Sequence, residues 1–79
     1  MKKLFAEIAG WYGVIAILLA YALVSFSALS SESIIFQILN LSGAIGLVVI
    51  NLEKKVNQSI AINSIWAIIA LLALVRIIL

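Results

Sequence analysis

The sequence predicts an all-α integral membrane protein of three unbroken transmembrane helices, and three observations predict it. Hydrophobic residues make up 67% of the 79-residue chain and charged residues 10%, and mean hydropathy is +1.37. A soluble domain this short keeps a far larger charged surface. The charged and turn-forming residues cut the chain into three apolar blocks, 8–29, 34–52 and 60–78. Each block has the roughly 20 residues needed to cross a ~30 Å hydrocarbon core. Proline is absent, so no block holds the usual helix breaker. Helices satisfy their own backbone groups, which lipid does not do for them. The whole chain, 1–79, reads as a single transmembrane domain with connections at 30–33 and 53–59.

The first span follows Met1-Lys2-Lys3 and Glu7. Two lysines before an apolar run resemble a secretory leader, with Ser25-Phe26-Ser27 or Ala28-Leu29-Ser30 as small-x-small sites. The run outlasts the roughly 7–15 residues of a leader core, and Gly10, Gly13 and Tyr21 stand as if for packing. Glu7 is expected to be solvated or to pair with Lys3 one turn away. Ser33 and Ser59 stand where N-caps for spans two and three belong. Phe5, Trp11 and Tyr12 read as interfacial anchors, as do the charged Lys54, Lys55 and Arg76.

Orientation follows from the basic residues. Two spans separate Lys2 and Lys3 from Lys54 and Lys55, so all four lie at one end, and Arg76 lies at the other. The positive-inside rule then places the amino terminus in the cytoplasm and the carboxyl terminus outside. The net charge of +2 is accounted for by topology and anionic lipid.

Polar residues within lipid carry most of the remaining information, since each costs free energy until it finds a partner. At about 100° per residue, Ser33, Gln37, Asn40, Ala44 and Asn51 share one face of span two. Ser59, Asn63, Trp66, Ala70 and Ala73 do the same on span three. Span one presents Gly10, Ile17 and Tyr21 beside a stripe of Ala9, Gly13, Ala16 and Ala20. Counted from the cytoplasmic boundary, Tyr21 and Asn40 share a level near 20 Å and 18 Å, which suggests a hydrogen bond between them. Asn63 and Trp66 fall roughly 5–10 Å deep, where Trp66 is expected to pack across Gly13 and Gly46. Ser42, Gly43 and Gly46 read as a small-residue helix contact, with Gly10, Gly13 and Ala70 in the same role.

The residue inventory excludes most chemistry. There is no Cys, His or Asp, and Glu7, Glu32 and Glu53 are far apart. Disulfides, thiol catalysis, His-based metal sites and cofactor ligation are therefore not expected, and neither is an enzyme. No nucleic-acid partner is indicated. A rotor-ring subunit would need a mid-membrane carboxylate, and a small multidrug exporter would need a fourth span and a buried Glu. Phage holins usually end in a dense charged tail, and this chain ends Arg76-Ile77-Ile78-Leu79.

Four ordered blocks carry a resemblance. They are Gly10-Trp11-Tyr12-Gly13, Ala20-Tyr21, Phe36-Gln37-Ile38-Leu39-Asn40-Leu41-Ser42-Gly43-Ala44-Ile45-Gly46 and Asn63-Ser64-Ile65-Trp66-Ala67-Ile68-Ile69-Ala70-Leu71. Together they resemble the family of small three-span bacterial membrane proteins named after a Coxiella locus, in which Tyr is expected where Phe36 stands. The resemblance implies the three-span architecture and a bacterial cytoplasmic (inner) membrane, and no activity. In architecture alone the chain is similar to half-sized sugar transporters of the SemiSWEET type, which pair as parallel dimers around a midplane site. Those carry a Pro-Gln motif and Pro hinges, which are absent here.

Two functions fit these residues. In the first, the protein is an accessory or structural subunit that binds a larger membrane protein, or itself, through its polar, small-residue helix face. In the second, a homodimer surrounds a pathway for a small neutral solute, lined by Tyr21, Gln37, Asn40, Asn63 and Trp66. Both need an assembly, with a parallel homodimer the expected one, because one copy is too small to enclose a site.

Overall fold

The computed structural model describes residues 2–79, with side chains from Lys3 onward; Met1 and the Lys2 side chain lie outside the described residues. The chain is all-helical: α1 (Lys2–Ser25), α2 (Ile34–Lys54) and α3 (Asn57–Ile78). All three are long and apolar enough to cross a membrane, and the molecule extends 36 Å along its longest axis.

The helix ends differ from the apolar blocks in an instructive way. α1 stops at Ser25, although the apolar block continues to Leu29. Ser27 takes the left-handed conformation, φ 62°. The Ala28 N–H then bonds the Leu23 carbonyl at 2.8 Å and the Ser27 N–H bonds the Val24 carbonyl at 3.0 Å. This is a Schellman cap, which satisfies the last carbonyls and turns the chain out of the helix. Ser25 and Ser27 are weak helix formers, and Phe26 beyond them is 84% exposed.

The second connection is shorter than the polar run from Glu53 to Ser59. Lys54 and Asn57 are both helical, leaving Lys55 and Val56 between α2 and α3. Lys55 is left-handed, φ 59°, and the Val56 N–H reaches the Asn51 carbonyl at 3.0 Å, a second Schellman cap. Glu, Lys and Gln are good helix formers, so polarity here marks where the membrane stops and the helix continues.

Ser33 caps α2, its hydroxyl accepting the Phe36 N–H at 3.1 Å, as expected. Ser59 does not cap α3. That helix starts three residues earlier, at Asn57, with Val56 at the cap position and no side-chain cap bond, and the Ser59 hydroxyl serves elsewhere.

α2 is the central helix. α1 and α3 each pack on it, and among the described residues they do not pack on each other. Two interfaces of different chemistry result. α1 meets α2 through small residues: Ala6, Ala16 and Ala20 are buried at 3%, 2% and 0% exposure, with Gly10 and Gly13 between them and Gly43 and Gly46 opposite. A Cβ built on Gly13 would lie 2.5 Å from the Gly43 carbonyl oxygen, and one built on Gly46 would collide with the Ala9 carbonyl. The two backbones therefore touch, the kind of approach that lets dispersion hold helices together where lipid removes the hydrophobic drive. α3 meets α2 over the buried Ala70 and Leu74 and through polar side chains.

Candidate functional site

Those polar side chains form a ladder down the central helix. At the end shared by the amino terminus and the α2–α3 turn, Asn51 donates to the Ser59 hydroxyl at 2.7 Å. Asn63 Nδ2 donates to the same hydroxyl at 3.1 Å and to the Ser59 carbonyl at 2.9 Å. The displaced helix start thus leaves Ser59 inside α3, one turn before Asn63, where it joins two amides.

Higher up, the indole N–H of Trp66 donates to the Asn40 side-chain oxygen at 2.8 Å. The Tyr12 and Ser42 hydroxyls are 2.6 Å apart. Asn40 and Ser42 are two residues apart, about 200° around α2, so one bond runs to α3 and the other to α1. The central helix is held from both sides by an aromatic side chain bonded to a small polar partner.

Charged pairs mark the two ends. Glu7 pairs with Lys54 at 3.4 Å, and Glu32 pairs with Arg76 at 3.7 Å. Both are solvent-accessible and worth at most about 1 kcal/mol each. Near the second pair, Gln37 Nε2 donates to the Ser31 carbonyl at 2.9 Å, while Gln37 Oε1 is buried with no hydrogen-bond partner among the described residues. An open cleft of about 400 Å³ lies here, lined by Ser31, Glu32, Gln37, Leu72, Ala73, Arg76 and Ile77. A hollow of about 220 Å³ adjoins it at Gln37, Asn40, Trp66 and Ile69.

Several expected contacts are rearranged. Asn40 bonds Trp66, and Tyr21, expected as its partner, is 70% exposed on α1. The shared level of Tyr21 and Asn40 does not bring them together, because Asn40 faces α3. Trp66 is not laid across Gly13 and Gly46; those glycines are closed against each other's helix, and α3 does not reach α1. Tyr12, expected to anchor at the interface, turns its hydroxyl to Ser42. Glu7 bonds Lys54, a partner across helices where Lys3 was expected. Gly10, Gly13, Gly43 and Gly46, with Ala70, are all buried within the protomer, so the small-residue face expected to meet a partner is spent internally. Trp11 at 65% exposure remains on the surface, and the Lys55 backbone forms the turn.

Sequence reasoning found a polar stripe on each of α2 and α3 and missed that the two meet and that Ser59 joins them. The signal was the four-residue spacing of Ser59 and Asn63, one helical turn. Glu32 and Ser31 were read as loop residues, although they close the cleft around Gln37.

No curated protein and no solved structure matches the chain. A family model matches residues 6–79, which takes in all four motif blocks, all of α2 and α3, and α1 from its fifth residue onward. The chain therefore belongs to the family of small three-span membrane proteins named after a Coxiella locus.

Proposed function

We propose that the protein is a non-enzymatic, structural or accessory component of the bacterial cytoplasmic membrane that works as an assembly of like chains. The observation that carries this reading is the unequal character of the three outward faces. α2 turns Ile34, Ile38, Ile45 and Leu52 outward, and α3 turns out Ile65, Ile68 and Leu72, all 45% or more exposed. These are aliphatic surfaces suited to lipid.

α1 differs. Its exposed stripe runs Trp11, Val14, Leu18, Tyr21 and Ser25, alternating spacings of three and four as in a coiled-coil seam. Two amphipathic aromatics and a hydroxyl there replace aliphatic side chains, and such residues are enriched at protein interfaces and bond across membrane helices. The occupant this favours is a second copy. A two-fold axis along the membrane normal sets two such stripes parallel, each residue opposite itself.

A solute pathway draws less support, because Asn40 and Asn63, its expected lining, are bonded inside the protomer. The placement with the amino terminus in the cytoplasm rests on the lysines gathered at the Glu7–Lys54 end, against Arg76 alone at the other.

The natural absence of cysteine makes the test direct. Leu18→Cys is expected to give a disulfide-linked dimer in oxidised native membranes, and Ile38→Cys on α2 none. Equal linkage at both positions, or none at Leu18→Cys, sinks the self-association reading. An adduct of Leu18→Cys with a larger protein replaces the second copy with a foreign partner.

A further inference from the structure

We propose that the Arg76 end of the α2–α3 groove binds the headgroup of an aminophospholipid, a zwitterion with a phosphate diester and a primary ammonium. The site is independent of the α1 stripe and survives or fails without it.

The cleft presents one cation and one anion over an apolar wall, with a buried, unpartnered acceptor on the lining residue Gln37. Arg76 and Glu32 face each other at 3.7 Å, with side chains 80% and 77% exposed. A pair that open to water is held weakly, so it parts at little cost to admit a ligand of both signs. The guanidinium matches a phosphate, and the carboxylate matches an ammonium.

The third group makes the match specific. Gln37 Oε1 is buried and lacks any partner among the described residues, while its Nε2 is already committed to Ser31. A buried acceptor left unpaired costs free energy and calls for an N–H or O–H donor. Gln37 lines the cleft, and its terminal torsion is soft, so the amide can turn Oε1 toward a ligand by giving up the single Nε2 bond to Ser31. A primary ammonium supplies N–H donors for both Gln37 and Glu32, and a quaternary choline head supplies none.

The position also suits a lipid. Arg76 is in the last turn of α3, and Ile34 opens α2 beside it, which is headgroup level for spans of this length. Below, the Leu72 side of the cleft leads to the adjoining hollow at Ile69 and Trp66, which shares Gln37. An acyl chain descending from the headgroup would lie against the Trp66 ring.

Trp66 is therefore the reporter. The Trp11→Phe protein, with Trp66 as its single tryptophan, is reconstituted in phosphatidylcholine vesicles. Brominated phosphatidylethanolamine, phosphatidylcholine or phosphatidylglycerol is then titrated in, since bromine quenches tryptophan on contact. Half-maximal quenching by the ethanolamine lipid is expected at a mole fraction roughly five-fold lower than for either other lipid, the yield of about one ordinary net hydrogen bond. Glu32→Gln, at an exposed position, is expected to abolish that preference, and Arg76→Gln, which removes the phosphate partner common to all three lipids, to raise the half-maximal mole fraction of each. Lys54→Gln at the opposite end is expected to keep the preference. Equal quenching by all three headgroups overturns the proposal, and so does a preference that survives Glu32→Gln or quenching left unchanged by Arg76→Gln. Displacement by millimolar glycerophosphoethanolamine assigns the cleft to a soluble headgroup and overturns the lipid assignment.

Discussion

Adding one methyl group at Gly46 tests whether α1 and α2 are held by direct backbone contact. The new Cβ would run into the Ala9 carbonyl, and a Cβ at Gly13 would lie 2.5 Å from the Gly43 carbonyl, where ordinary contact begins at 3.4 Å. Neither obstacle is a side chain that can rotate away. The helices must part by about 1 Å, enough to forfeit a quarter to a half of the dispersion between facing atoms. Overpacking of this kind costs about 1–3 kcal/mol, and backbone obstacles put Gly46→Ala and Gly13→Ala near the top, at about 2–3 kcal/mol. At Gly10 the nearest atoms are Cβ and Cγ2 of Ile50, at 2.8 Å; they are held by the α2 backbone and a stiff β-branched rotamer but stand less close, so Gly10→Ala is expected to cost about 1–2 kcal/mol. The assay is reversible unfolding in mixed SDS micelles. Trp11 fluorescence serves as the reporter because its ring shares a groove with Leu47 and Ile50. The reasoning is refuted if Gly46→Ala is no more destabilising than Ile38→Ala, a truncation on the 51% exposed lipid face, or if Gly10 proves the costliest of the three.

Other interactions predict smaller effects by the same unfolding measurement. A double-mutant cycle of Trp66→Phe with Asn40→Leu should return a coupling of about 0.6–1.7 kcal/mol; a coupling near zero would mean the bond at 2.8 Å adds nothing in lipid. Ser59→Ala removes the shared partner of Asn51 and Asn63 and should cost about 1–2 kcal/mol, more than Ser64→Ala one turn further on. Ser27→Gly should stabilise by about 1 kcal/mol, because glycine adopts φ 62° without the Cβ penalty; a destabilised variant would argue that the α1 cap does not form.

Much of the architecture was legible in the residues themselves. Three apolar blocks separated by Ser30–Ser33 and by the Glu53-Lys54-Lys55 run were enough for three helices, since lipid leaves an apolar chain few other ways to satisfy its backbone. The polar stripe on each of α2 and α3 was legible too, because a residue's angle around a helix follows from its number; that the two stripes meet was not. Helix ends were less so. Hydropathy reports where lipid stops, and the caps at Ser27 and Lys55 depend on backbone torsions that no composition reveals.

Partner choice belonged to the tertiary structure alone. Residue number gives an expected depth and angle along one helix, which is how Tyr21 and Asn40 came to be paired. Which helix each one faces depends on how the three helices are arranged. With α2 central and α1 and α3 apart, Asn40 turns to Trp66, Tyr12 turns to Ser42, and the glycines close on each other. The sequence by itself determined a membrane protein with polar groups needing partners. The packing of α1 and α3 on opposite flanks of one helix decided which groups met, and it left Gln37 Oε1 without a partner among the described residues, in the cleft lined by Arg76 and Glu32.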